Sequence, residues 1–183
     1  MDISIDAKTM AMIKNIKLLI LDVDGVMTDG RIVIDDLGNE EKNFDVRDGH
    51  GVKLLMRYGI DVIFLTGRKS KVVEYRAHDL GVKECYQGAK NKLKKLQEIL
   101  EWKALEEHCV AYMGDDLIDI PVLNRVGFSV AVADACKEVR DAADYVTRQK
   151  GGKGAVREVC EIILKAQDKW NDVALRYGFD PSR

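Results

Sequence analysis

No two cysteines in this sequence are spaced as a metal knuckle or a small-loop disulfide requires. The four, Cys85, Cys109, Cys136 and Cys160, lie far apart with no C-x-x-C pair. That argues against a zinc site and a disulfide framework and leaves reduced thiols as the expectation. A cationic surplus is missing too, since 29 Lys and Arg against 31 Asp and Glu give a net charge of −2. Nucleic acid is therefore not expected as the main partner, while a small anion can still meet a locally positive site. Long apolar runs are absent. Leu18 to Leu21 falls far short of the roughly 20 residues that span a bilayer. The N-terminal MDISIDAKTMAMIKNIK has no apolar core of signal-peptide length. A cytoplasmic protein without a membrane partner is expected. With two prolines and neither repeat nor low-complexity tract, nothing divides the chain, and 1–183 reads as a single domain.

What is present suits a packed globule: 46% hydrophobic and 33% charged residues, enough at this length to bury one sizeable core. Apolar runs alternate with amphipathic stretches, the pattern of a parallel sheet covered by helices. Strands are expected at 17–24, 61–66, 84–88, 109–115, 128–132 and 144–147. Helices are expected near 49–58, 69–80, 90–101, 116–125, 135–141 and 154–169. The fold class is α/β, a Rossmann-like parallel sheet with helices on both faces. One segment breaks the alternation: GRIVIDDLGNEEKNF (30–44) reads as two short β segments around Asp36-Leu37-Gly38-Asn39, a hairpin. Inserted straight after the first strand, it would form a flap over the carboxyl ends of the strands, the ligand side of an open α/β sheet. Towards the other end, RQKGGKG (148–154) opens a glycine-rich C-terminal segment, and a polar tail follows the last expected helix.

Chemistry-bearing residues gather at the predicted strand ends. LLILDVDGVMTDG puts Asp22 and Asp24 at the carboxyl end of a buried strand. Residues two apart share a strand face, so both carboxylates would face one pocket. Two acids beside an apolar core are costly without a cation or a catalytic role; the plain alternative is an ordinary Asp-Gly turn. Three further stations shift that balance. Thr66-Gly67-Arg68 ends the second strand, where a hydroxyl and free backbone N–H groups at a helix start can cradle phosphate. Lys92 opens the helix after YQGAKN. A lysine in a first turn opposes the helix dipole and calls for an anion nearby, unless it is one more solvated lysine beside Lys90, Lys94 and Lys95. GDDLID (114–119) clusters Asp115, Asp116 and Asp119 at a helix start, with Asp115 and Asp119 on one face by i, i+4 spacing. Capping accounts for one acid. A hard, oxygen-ligated divalent cation accounts for all three, and Mg2+ is the usual one beside phosphate.

In order, DVDG, TG, Lys and GDD at successive strand ends resemble the four motifs of the haloacid dehalogenase superfamily. Within it, DVDGVMTDG, DVRDGHG, TGRKS, YQG…K, GDDLID and GGKGAVREVC resemble the 3-deoxy-D-manno-octulosonate 8-phosphate phosphatase family. The resemblance implies a hydrolase without a cap domain in which Asp22 attacks phosphorus and forms an aspartyl-phosphate. Asp24 would protonate the leaving oxygen and then activate water. Thr66, the Gly67 N–H and Lys92 would bind the phosphoryl oxygens. Mg2+ would be held by Asp22, the backbone carbonyl of Asp24, and Asp115, with Asp116 and Asp119 orienting the metal site or Lys92.

A keto-sugar acid phosphate also carries a carboxylate. Arg47, Lys53, Arg68 and Arg76 are candidate cations for it, arginine fitting carboxylates bidentately; each also reads as an ordinary exposed charge. Arg68 and Arg76 are expected about two turns apart on one helix. Asp45-Val46-Arg47-Asp48-Gly49 matches the family's substrate loop. With no cap, a neighbouring subunit is expected to supply the missing wall. The resemblance implies a homotetramer whose glycine-rich segment, here GGKGAVRE (151–158) with Lys153 and Arg157, reaches an adjacent site; as a plain reading it is a linker. The implied role is supply of 3-deoxy-D-manno-octulosonate for lipopolysaccharide. Three alternatives stand beside it. One is a phosphatase for a nine-carbon keto-sugar acid 9-phosphate, whose relatives tend to carry Glu where this chain has Arg68. Another is a phospho-accepting receiver, disfavoured because the third strand ends in Gln87-Gly88 without an Asp. The last is a non-catalytic binding protein with a vestigial site.

Overall fold

The computed structural model describes residues 7–181; the first six residues, and with them the start of the segment read as lacking a leader, lie outside the described residues. A short helix, α1 (Ala7–Ile13), leads into β1 (Leu18–Leu21), whose four residues are all buried. A run with no polar position offers no solvent face, which fits a strand covered by helices on both sides. A hairpin of β2 (Val33–Ile34) and β3 (Glu40–Glu41) follows. Next come α2 (Val46–Arg57), β4 (Asp61–Leu65), α3 (Lys71–Leu80), β5 (Glu84–Tyr86), α4 (Lys92–Lys103) and β6 (Val110–Gly114). After a 3-10 turn at Leu117–Asp119 come α5 (Ile120–Leu123), β7 (Phe128–Ala131), α6 (Lys137–Ala142), β8 (Tyr145–Val146), α7 (Ala155–Ala166) and α8 (Trp170–Tyr177).

Six strands form one parallel sheet in the order β5-β4-β1-β6-β7-β8. Parallel neighbours need crossovers, and here the connecting segments carry helices. Burial follows position: β1, β6 and β7 are buried throughout, whereas the edge strands β5 and β8 are only partly covered. Leu21 pairs with both Phe64 and Met113, so the central strands reach their carboxyl ends at nearly one level.

The tightest helix contact also rests on sequence. In α7, Val156, Val159, Cys160, Ile163 and Leu164 are buried, the stripe expected of a helix lying on a core. Its backbone approaches α2 so closely that a Cβ on Gly51 would stand 3.1 Å from Arg157 Cα. Glycine inside a helix costs about 1 kcal/mol. Burying each Val, Leu or Ile along this interface returns roughly 1.5–3 kcal/mol, so close packing wins. A leucine at Gly51 would force the two helices apart.

The hairpin stands as a two-stranded sheet of its own, with Val33 opposite Glu41 and Ile34 opposite Glu40. Asp35 closes its turn by accepting from the Leu37 and Asn39 N–H groups at 2.9 and 2.8 Å. Gly38 supplies the φ of +82° that the turn needs.

Several expected boundaries move. β1 ends at Leu21, because the N–H groups of Val26, Met27 and Thr28 all turn back to the Val23 carbonyl. α2 begins at Val46 instead of 49, with Asp45 as its N-cap. The helix expected over 116–125 splits into the 3-10 turn and α5, where Pro121 sits at the helix start. The helix expected over 154–169 stops at Ala166, and Asp168 beyond it adopts φ +58°. The segment read as a polar tail contains α8, whose Tyr177 meets His50 edge-on at 5.7 Å and accepts from Arg57 at 3.1 Å. Neither α1 nor α8 was expected, since both are short and α8 buries only Val173 and Ala174.

Candidate active site

Read across the sheet, the segments after β5, β4, β1 and β6 carry Lys92, Thr66, Asp22 and Asp115. Four neighbouring strands thus bring distant residues to the same edge of the sheet, the side where open α/β sheets bind ligands.

Lys92 is at the centre. It is the first residue of α4 and only 3% exposed. Its ammonium lies 2.9 Å from Asp22 Oδ2, 2.6 Å from Asp119 Oδ1 and 3.2 Å from the Tyr112 hydroxyl. Three partners saturate its three N–H donors. Burial alone pulls Lys92 down, yet the charges of Asp22 and Asp119 carry it above the usual ammonium range. Asp119 is saturated as well. Its Oδ1 accepts from Lys92 and, at 2.5 Å, from Tyr112, and its Oδ2 accepts from the Asp115 and Asp116 N–H groups at 3.0 and 3.2 Å. Asp116 is exposed and caps the 3-10 turn by accepting from the Leu117 N–H at 2.8 Å. Tyr112, buried in β6, is a site residue that sequence reasoning missed. A lone tyrosine in an otherwise apolar strand is the only signal for it.

Asp22, Asp115 and Asp119 each offer a carboxylate oxygen within 4.8 Å of the others. Burial raises Asp22 to about 7, against the lowering pull of Lys92. Burial, then repulsion from Asp22 and Asp119, raises Asp115 to about 8. Two carboxyls pushed up by confinement and mutual repulsion suit a hard cation between them. Because the Asp119 oxygens are already committed, Asp22 and Asp115 are the better ligands. The turn after Asp24 completes the cradle: Gly25 has φ +91°, and a Cβ there would overlap the Asp115 carboxylate. The donor set therefore fits an oxygen-ligated divalent ion. Beside it, Thr66 is buried, its hydroxyl accepting from the Arg68 N–H at 3.3 Å. Gly67 has room for a methyl group, its nearest neighbour being Ile118 at 3.8 Å.

Asp24 does not follow the strand-face expectation, because β1 ends three residues before it. Its Oδ1 pairs with Lys42 from the flap, a second residue that sequence reasoning missed. Lys42 also lies 3.2 Å from Glu40, which in turn pairs with Arg68 at 2.9 Å. Arg68 Nε stands 3.8 Å from Asp24 Oδ2.

The expected substrate loop forms the N-cap and first turn of α2. Asp45 caps α2 and pairs with Arg47 at 2.8 Å, while Val46 is exposed. Asp48 points into the fold: it accepts from the Gly154 and Arg157 N–H groups at 3.1 and 2.7 Å, and burial raises it to about 6. Gly49 is buried where a Cβ would overlap the Arg76 guanidinium. Arg76 pairs with Asp79 at 2.9 Å, lies 5.4 Å over the Phe44 ring and reaches the Asp45 carbonyl at 3.4 Å. Asp48, Gly49 and Arg76 thus help hold the start of α2 in place, while the buried Arg76 Nε has no hydrogen-bond partner among the described residues. Lys53 is exposed on α2. Arg68 and Arg76 do not share a helix, since α3 begins at Lys71.

The glycine-rich segment rests on its own chain. The Gly152 N–H donates to the Val26 carbonyl at 2.9 Å and the Gly151 N–H to Asp134 at 3.0 Å. A Cβ on Gly151 would overlap the Gly25 carbonyl. Arg157 pairs with Glu161 at 2.7 Å, and Lys153 is exposed.

A parallel sheet that gathers two aspartates, a threonine and a lysine at its carboxyl edge is the arrangement of a haloacid dehalogenase-type hydrolase. The family described as haloacid dehalogenase-like hydrolase matches residues 84–159. The 3-deoxy-D-manno-octulosonate 8-phosphate phosphatase of Escherichia coli (strain B / BL21-DE3) is 51% identical over 168 residues, covering 92% of this chain and 89% of its own. That of Yersinia pestis is 54% identical over 155 residues, covering 85% and 83%. A crystal structure of the Moraxella catarrhalis phosphatase, in complex with magnesium ion, phosphate ion and KDO, superposes with a TM-score of 0.91. It is 39% identical and covers 93% of this chain and 98% of its own. The chain belongs to the 3-deoxy-D-manno-octulosonate 8-phosphate phosphatase family.

Proposed function

We propose that the protein is a Mg2+-dependent phosphomonoesterase that hydrolyses 3-deoxy-D-manno-octulosonate 8-phosphate to the free sugar acid and phosphate. The observation that carries this reading is the convergence of Asp22, Asp115 and Lys92 in one buried cluster. In this reading Asp22 forms a bond to phosphorus as the sugar oxygen departs, and Asp24 supplies that oxygen with a proton. Water then attacks the aspartyl-phosphate while Asp24 takes a proton back, so atoms and protons balance over two steps. Lys92, Thr66 and the Gly67 N–H meet the phosphoryl oxygens, and Asp119 and Tyr112 hold Lys92 where it is needed. Mg2+, held by Asp22, Asp115 and the Asp24 carbonyl, supplies charge neutralisation between an anionic nucleophile and an anionic substrate. Arg47, Lys53, Arg68 and Arg76 are the cations proposed for the substrate carboxylate.

The test is phosphate release from the eight-carbon and nine-carbon keto-sugar acid phosphates, with Mg2+ and with chelator, for wild type and Asp22→Asn. Turnover of the eight-carbon substrate that chelator and Asp22→Asn both abolish supports the reading. Preference for the nine-carbon substrate would favour the alternative on the same scaffold, against the expectation from Arg68. The reading extends to a cytoplasmic homotetramer feeding lipopolysaccharide synthesis, in which a neighbour's C-terminal segment completes the site. The flap's exposed Ile32, Val33, Ile34 and Leu37 favour a subunit contact there, and light scattering of the purified protein tests it. Among the described residues no helix is long and apolar enough to cross a membrane.

A further inference from the structure

We propose that Lys42 is a positioning residue for the reaction: carried by the flap, it holds one oxygen of Asp24 so that the other is left to carry the proton. The inference rests on the reading of Asp24 as the acid and base. Its physical ground is the environment of two side chains. Lys42 is drawn almost wholly out of solvent, its side chain 1% exposed, and lysine tolerates this only when paired. Its partners are Asp24 Oδ1 and, at 3.2 Å, Glu40. The other oxygen, Asp24 Oδ2, is buried and accepts no hydrogen bond among the described residues; its charged neighbour is Arg68 Nε, 3.8 Å away. A buried acceptor left unsatisfied costs about 1–3 kcal/mol, so such an atom calls for an explanation. The carboxyl is therefore asymmetric, with Oδ1 hydrogen-bonded to Lys42 and Oδ2 facing only the more distant Arg68.

That asymmetry matches what the two steps ask. In the first, a proton moves from Oδ2 to the leaving sugar oxygen as its bond to phosphorus breaks and the Asp22 bond forms. In the second, a proton from the attacking water returns to Oδ2 as the Asp22–phosphorus link breaks. Lys42 exchanges no proton and touches no reacting atom. The flap is seated at its base by Phe44, packed on the core under Arg76, and nearer its tip by charged pairs. A two-stranded hairpin is marginal alone, and Ile32, Val33, Ile34 and Leu37 are exposed. The contacts of Lys42 and Glu40 with Asp24 and Arg68 tie it to the body, so the placing of the flap's charged strand and the orientation of Asp24 are coupled.

Leaving-group dependence tests this. Wild type, Asp24→Asn, Lys42→Met and Lys42→Arg are assayed with the sugar phosphate, whose alkoxide must be protonated, and with p-nitrophenyl phosphate, whose phenolate leaves unaided. Asp24→Asn is expected to lose about a hundredfold or more in kcat on the sugar phosphate and far less on the aryl ester. Lys42→Met should show the same skew, about tenfold or more on the sugar phosphate, with KM little changed and partial rescue in Lys42→Arg. Equal losses on both substrates, or none, overturn the inference, because a purely structural lysine cannot tell leaving groups apart. A skew in Asp24→Asn that Lys42→Met lacks overturns it while sparing the reading of Asp24. An active wild type whose Asp24→Asn variant shows no skew removes both. Should Lys42→Met not fold, Lys42→Gln carries the same comparison.

Discussion

The Lys92 ammonium lies 2.9 Å from Asp22 and 2.6 Å from Asp119, so one buried cation joins the end of β1 to the loop after β6. Removing one member of such a group leaves charges stranded away from water. Lys92→Met is expected to destabilise the metal-free protein by about 3–5 kcal/mol and to abolish turnover. Urea unfolding with chelator and with Mg2+ measures it, and Mg2+ should restore part of the loss by neutralising Asp22. A Lys92→Met variant as stable as wild type in chelator would mean that the cluster carries no such strain.

The same confinement predicts how stability varies with pH. Asp22 and Asp115 titrate near 3.8 when unfolded and at about 7 and about 8 in the fold. The folded state binds those protons more tightly. Its advantage is fully present below 3.8 and is lost as pH rises through the folded values. In chelator, Tm should fall between about pH 4 and about pH 8 and level off above that, and stabilisation by Mg2+ should grow over that window as metal replaces protons. Asp115→Asn should flatten both trends. Thermal scans across the range decide it.

Gly25 and Gly38 share a left-handed backbone but have different surroundings. A Cβ at Gly25 overlaps the Asp115 carboxylate, whereas nothing stands within 4 Å of one at Gly38. Gly38→Ala should cost only backbone strain, about 1–2 kcal/mol, and leave Mg2+ affinity alone. Gly25→Ala should weaken Mg2+ binding at least about tenfold by displacing Asp115. Calorimetric titration of both variants separates steric displacement from strain.

Tyr112→Phe removes one hydroxyl and almost no volume. Asp119 would lose a donor at 2.5 Å and Lys92 a partner at 3.2 Å. The expected cost is about 1–3 kcal/mol in stability, with a several-fold lower kcat and little change in KM. Denaturant unfolding and phosphate-release kinetics report on the two effects.

The sheet was legible in the sequence because its strands are short apolar runs, and the reactive groups because each follows one. What the sequence could not show is set by tertiary packing. Asp48 and Gly49 carry a motif's letters, but the first is needed to hold Gly154 and Arg157 and the second to admit Arg76. Lys42 and Tyr112 carry no motif at all. Their importance comes from being folded against Asp24 and Asp119, contacts that sequence spacing does not reveal. The helix Trp170–Tyr177 buries Val173 and Ala174, too few to mark it out from a polar tail.

Gly151 and Gly152 press backbone to backbone on the loop after Asp24, yet they follow Asp22, Thr66, Lys92 and Asp115 along the chain. During synthesis the ribosome therefore releases every one of those groups before the segment that backs the Gly25–Asp29 loop exists. A nascent chain halted ahead of Gly151 would hold the chemistry without its brace. Competence would arrive late, when two residues without side chains slide into place.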